Sequence, residues 1–347
     1  MKCERVEITR FIAALFVLVL IVTTGCTKIG PEGKPGLDGI DGQDGAQSCV
    51  TCHNASEFLK ARVDQYSYSV HAAGANTNQV GENCAKCHTS MGFRNFLAAG
   101  APGTITNPTP INCRTCHPIH ESFSADDFSL RTASSVTLAV DGSTYNHGSS
   151  NLCANCHQGR AVSPYPELGG ADVTITNARY GPHYGPQANM FIGTGPVKIP
   201  GSMVYANSAH TSLVTQGCIT CHMSPATGVR AGGHQMNVKY TTAAGATAYQ
   251  YTGCLASGCH STAAEVASLI NPNRTEIQDL LSQLKTRLQE KELLNASEQV
   301  PVPKTMTQLQ AAAVLNYKFV YGDHSYGAHN YPFTRALLVN TLESLND

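Results

Sequence analysis

Tryptophan is absent from these 347 residues, and charge is scarce. Asp, Glu, Lys and Arg make up 14% of the chain and leave a formal net charge of −1. Such a dilute, balanced charge carries no electrostatic footprint for nucleic acid. The apolar run 11–22 has twelve residues, short of the about 20 that span a bilayer comfortably. Spare cysteine is lacking too. There are 14 cysteines, but twelve sit in one repeated motif and the other two, Cys3 and Cys26, in the N-terminal segment, so none remains for a disulfide framework.

The repeated motif is Cys-x-x-Cys-His. It occurs as Cys49/Cys52/His53, Cys84/Cys87/His88, Cys113/Cys116/His117, Cys153/Cys156/His157 and Cys218/Cys221/His222, with a stretched copy at Cys254/Cys259/His260. Two thiols at this spacing add across the two vinyl groups of a porphyrin, and the next histidine is carried under the iron as its ligand. In the stretched copy the two extra residues loop outward without moving the sulfurs. Zinc would need cysteine pairs to meet in fours and has no use for a histidine always one residue on. Six redox Cys-x-x-Cys sites in one chain are equally out of keeping. The expected cofactor set is therefore six covalently bound haem c groups, held by twelve cysteines and six motif histidines.

Residues 1–25 read as an export signal. Lys2, Arg5 and Arg10 precede the apolar run, which ends at Thr24-Gly25-Cys26. A small residue before cysteine here resembles a bacterial lipoprotein cleavage site and implies lipidation of Cys26, with plain cleavage or an uncleaved anchor as alternatives. Thr27, where an aspartate would imply inner-membrane retention, points to the outer membrane. Residues 26–48 form a linker, and 30–47 repeat Gly-x-y six times. That period is collagen-like; the segment reads as a flexible stalk or a trimerising element. At about 3.1 Å per residue a stalk of this length reaches roughly 70 Å.

Residues 49–272 carry every motif among frequent Gly, Pro, Asn, Ser and Thr, which leaves room for brief strands at 135–140 and 172–176. Residues 273–347 differ. Asn273 and Glu276 form a capping-box pattern ahead of Ile277, Leu280, Leu281, Leu284 and Leu288, and Pro301 and Pro303 end the run. Further helices are expected over 304–321 and 332–345. The fold class is thus mainly α with much irregular loop, cored by haem, with few short strands and a C-terminal helical hairpin or bundle. Six porphyrins are expected to supply much of the apolar core, with the leucine stripes packed on the haem body, on one another or on a partner.

The chain has 14 histidines, and eight lie outside the motifs. Six irons need at most six further ligands. Seven residues are the candidates: His71, His120, His147, His183, His210, His234 and His329. Met223 and Met236 are the alternative ligand type, one that raises potential.

The chain resembles the multihaem c-type cytochromes of metal-respiring and related bacteria. Asn151–His157 preceded by His147, Gly181–Gln187, Asn207–His210 and Gly232–His234 carry the likeness. Cys113–His120 resembles the Cys-x-x-Cys-His-x-x-His variant, whose last histidine reaches a neighbouring haem. Residues 323–330 resemble a helical region of nitrite- and octahaem-reductase relatives, in which a histidine followed by asparagine is a ligand; that implies His329 as ligand and His324 as bystander.

Two functions compete. One is an exported electron carrier, not an enzyme, relaying electrons through closely spaced bis-histidine haems to or across the outer membrane. Its partners are redox proteins or an extracellular acceptor, with a homo-oligomer or filament as a variant. The other is a reductase of nitrite or hydroxylamine type, which needs one open iron. The nitrite reductases it resembles commonly carry lysine in place of one motif histidine, and all six motifs here end in histidine. A surface adhesin that happens to carry haem ranks last.

Overall fold

The computed structural model describes His53 and residues 57–74, 76–256 and 260–346. The expectations for the signal, Cys26, the Gly-x-y segment, Cys49, Cys52 and Cys259 lie outside the described residues.

From Cys84 onward the first cysteine of each motif sits on a short helix. These helices are Glu82–His88, Cys113–Cys116, Asn151–Ala154, Cys218–His222 and Thr252–Ala256. The caps explain why they start and stop. Asn112 and Thr115 form a reciprocal capping box around Cys113. Thr89 ends the Glu82–His88 helix, and its side chain accepts from the Gly92 amide to begin Ser90–Ala99. Gly92 is needed there, because a Cβ would lie 2.3 Å from the Ala85 carbonyl oxygen. The same holds at Gly253, whose Cβ would lie 2.3 Å from the Thr220 carbonyl oxygen; the turns bearing Cys221 and Cys254 thus meet backbone to backbone.

Among the described residues strands come as two-stranded antiparallel pairs: Val136–Thr137 with Thr144–Tyr145, Val173–Ile175 with Lys304–Met306, and Lys239–Thr241 with Thr247–Tyr249. The brief strands expected near 135–140 and 172–176 are present in shortened form. Residues 304–306 were expected to open a helix. They pair instead with 173–175, and the helix starts at Gln308, where Thr307 and Gln310 make the capping box.

The C-terminal region holds three long helices, Ala263–Glu290, Gln308–Asp323 and Tyr331–Ser344. The first begins ten residues ahead of the expected Asn273 cap. Thr262 accepts from the Glu265 amide and caps it, and the helix continues through Pro272. It therefore crosses the change in texture at 272–273 without a break. Its buried stripe of Ile277, Leu281, Leu284 and Leu288 packs with Val314, Phe319, Phe333 and Leu337 from the other two. Here the core is protein side chain, more of it than six porphyrins supplying the interior would leave to the chain. N-terminal to Val136 the contrast is sharp: the buried apolar residues described there are Ala85, Phe93 and Ile105. Leu284 is 0% exposed, so Leu284→Ala is expected to cost about 2–5 kcal/mol, measurable as a lowered midpoint in denaturant.

Candidate axial-ligand pairs

Imidazoles meet in twos throughout the body. His53 faces His120 with ring centroids 6.0 Å apart. His88 faces His183 at 6.3 Å, His117 faces His234 at 6.2 Å, and His157 faces His71 at 5.9 Å. His222 faces His329 and His260 faces His210, both at 6.3 Å. Every pair joins one motif histidine to one from elsewhere in the chain. Among the described residues no three His, Cys, Asp or Glu side chains converge as a metal site.

The spacing has a physical meaning. Metal–imidazole nitrogen bonds are about 2 Å long and a ring nitrogen lies about 1 Å from its centroid, so two imidazoles on opposite sides of one metal ion hold centroids about 6 Å apart. A porphyrin fills the other four positions on its iron, leaving two for protein. The residues present fit that group. A cavity of about 260 Å³ beside His210 and His260 is lined by Cys254 and by apolar Val266, Leu269 and Ile270, the surroundings a porphyrin edge requires.

Ring orientation is fixed from behind. His117 Nδ1 is 2.9 Å from the Ser129 carbonyl oxygen, and His222 Nδ1 is 2.8 Å from that of Met236. His157 Nδ1 lies 3.3 Å from Gln187 Oε1, and His329 Nδ1 2.6 Å from Asp323 Oδ1. Each partner is an oxygen acceptor, so Nδ1 carries the proton and Nε2 presents its lone pair inward. Burial, and then the facing His157, push the His71 imidazole down to about 4. Burial first, with the facing imidazole also contributing, lowers His183, His210, His222 and His234. Unprotonated rings are what a metal binds.

The non-motif histidines are placed by residues that the sequence reading did not single out. Asp127 accepts from the amides of His120, Glu121 and Ser122 and from the Ser122 hydroxyl. It clamps a loop in which His120 has φ of 64°, a left-handed conformation that needs such support. Gln65 accepts from the His234 amide at 3.0 Å. Asn330 is fully buried, accepts from the Ser208 amide and donates to Phe191 O and Asn207 Oδ1, tying the His210 turn to the start of the last helix. The signal was thin: an asparagine directly after His329, the second of two adjacent aspartates at 126–127, and a glutamine on the polar helix Glu57–Ser67.

His147 departs from expectation. Its ring packs 4.8 Å from Tyr145 and 5.0 Å from Phe191, and Nδ1 lies 3.3 Å from the Val214 carbonyl oxygen. It braces the 145–151 segment against 214–217 and faces no motif imidazole among the described residues. His147→Ala is expected to leave the iron spin states unchanged while costing about 2 kcal/mol of stability, checked by electron paramagnetic resonance (EPR) and denaturation on one preparation. His324 caps the Gln308–Asp323 helix and rests 5.7 Å from the Tyr321 ring. Met223 caps the Cys218–His222 helix, and Met236 offers its carbonyl oxygen to His222.

The motifs also touch one another. The sulfurs of Cys87 and Cys156, of Cys153 and Cys218, and of Cys221 and Cys254 are close enough to act on one another electrostatically. Cys116 lies within electrostatic reach of Cys153 and Cys156. His117 and His120, three residues apart, belong to different pairs.

No family model matches the chain, and no curated protein does. Among solved structures, the crystal structure of the outer cell wall cytochrome OcwA is similar, with a TM-score of 0.52 and 21% identity over 82% of this chain. The chain spans 50% of that cytochrome's length. The mainly helical architecture with few short strands that carries the paired histidines is therefore a fold shared with a cytochrome.

Proposed function

We propose that the chain is an exported hexahaem c-type cytochrome that relays electrons through six bis-histidine sites, anchored by lipid at Cys26, and that it works at the outer membrane. One observation carries the reading: each of the six motif imidazoles faces one other imidazole at 5.9–6.3 Å. The ligand set is then His53 with His120, His88 with His183, His117 with His234, His157 with His71, His222 with His329 and His260 with His210.

Bound haem supplies one-electron iron chemistry by outer-sphere transfer, with no bond made or broken. The residues do the rest. Cysteines tether, facing histidines close both axial positions, and the absence of an open position is what separates a carrier from a reductase. The proximity of the motifs supports one order for the relay. Cys153–His157 is a junction touched by the motifs at Cys84, Cys113 and Cys218; the motif at Cys254 extends from Cys218, and the motif at Cys49 extends from Cys113 through His120. Redox proteins or an external acceptor are the partners this layout suits.

Pyridine haemochrome analysis against protein mass tests the reading. Six haems per chain are expected; five or fewer would overturn it, and loss at the stretched motif would show as a free Cys254.

A further inference from the structure

The six sites differ in what stands behind their ligands. His117, His157 and His222 lean on neutral oxygens, from Ser129, Gln187 and Met236. His260 has Glu265 at 3.6 Å, too long for a hydrogen bond, and that carboxylate side chain is 42% exposed. His329 is different. Its Nδ1 lies 2.6 Å from a carboxylate oxygen of Asp323, whose side chain is 1% exposed. The other carboxylate oxygen accepts from Ser325 Oγ, and among the described residues the carboxylate has no ion-pair partner besides His329. Asp323 is also the last residue of the Gln308–Asp323 helix, where the helix dipole is negative and adds to the field.

A buried carboxylate that takes the Nδ1 proton's hydrogen bond makes the imidazole a stronger donor through Nε2. Stronger donation, and a negative charge in a low-dielectric setting, favour the oxidised metal over the reduced one. We infer that Asp323 is a positioning residue that holds His329 in a partly anionic state and makes the Cys218–His222 site a low-potential step of the relay. The inference rests on the bis-histidine reading above. It has a consequence for traffic: the Cys218–His222 motif lies between the junction and the Cys254–His260 motif, so electrons crossing that arm pass over a raised step, which Ser325 trims by withdrawing density from the carboxylate.

The test uses purified wild-type holoprotein, Asp323→Asn and Ser325→Ala, titrated spectroelectrochemically with EPR on the same samples. Asp323→Asn keeps size and a hydrogen-bond acceptor but removes the charge. One midpoint potential is expected to rise, five to stay, and all irons to remain low-spin. Ser325→Ala is expected to move the same midpoint the opposite way, and decides the matter alone if the Asn variant does not fold. Unmoved midpoints in both variants overturn the inference, as does a high-spin iron in Asp323→Asn, which would make Asp323 a mere strut for His329. A wild-type protein lacking six low-spin irons overturns the bis-histidine reading instead, so the two failures are distinguishable.

Discussion

His329→Ala is expected to turn one iron in six from low-spin to high-spin, while His324→Ala turns none. The two histidines lie five residues apart in one loop, so sequence composition barely separates them. Geometry does. The His329 ring faces His222 at 6.3 Å and is fixed behind by Asp323, whereas His324 sits at the helix C-cap with its ring on Tyr321. Removing the His329 imidazole leaves the His222 site with one protein ligand, and a five-coordinate haem iron of this kind is high-spin and open to added ligands. The size of the effect is a full stoichiometric site. It is read as a new high-spin EPR signal and as binding of carbon monoxide by one-sixth of the reduced haem. Two outcomes would count against the assignment: no high-spin iron in His329→Ala, or one in His324→Ala.

The second large effect concerns connection. The double variant Cys153→Ala, Cys156→Ala is expected to carry five haems and to split the relay into three parts, because among the described residues Cys153 and Cys156 are what link the motifs at Cys84, Cys113 and Cys218. One arm keeps the motifs at Cys218 and Cys254, another those at Cys113 and Cys49, and the motif at Cys84 stands alone. Leu269, 47% exposed, lines the cavity beside His260. A photosensitiser tethered there through Leu269→Cys injects electrons into that arm. In the otherwise wild-type chain they should spread over six haems in the fast phase; in the double variant they should stop at two. Fast reduction of all five remaining haems would show that the junction is not the Cys153–His157 motif.

How much of this was legible in the sequence follows from which forces act locally. The proposed haem attachment rests on a local pattern, because thioether chemistry would fix two cysteines and a histidine within five residues. The last helix was legible, starting at Tyr331 against an expected 332, because Pro332 marks its first turn. The strand at 304–306 was not, since its partner lies at 173–175, and pairing across that distance leaves no local trace. The early start of the Ala263–Glu290 helix was masked by Pro272, whose local cost is outweighed by the buried Ile277–Leu288 stripe. For the second ligands, counting histidines gave seven candidates for six positions. Only tertiary packing tells that His147 belongs with Tyr145 and Phe191, and that His71 crosses to His157. Asp127, Gln65 and Asn330 act through hydrogen bonds to backbone atoms or to distant side chains, which no spacing pattern encodes.

The most direct measurement is spin quantification of the oxidised holoprotein by EPR at low temperature, with integration against the haem count. Six low-spin irons and no high-spin signal are the expected result, unchanged by nitrite or hydroxylamine. A stoichiometric high-spin iron that shifts on adding either ligand would contradict a closed relay and put an open, reactive haem in its place.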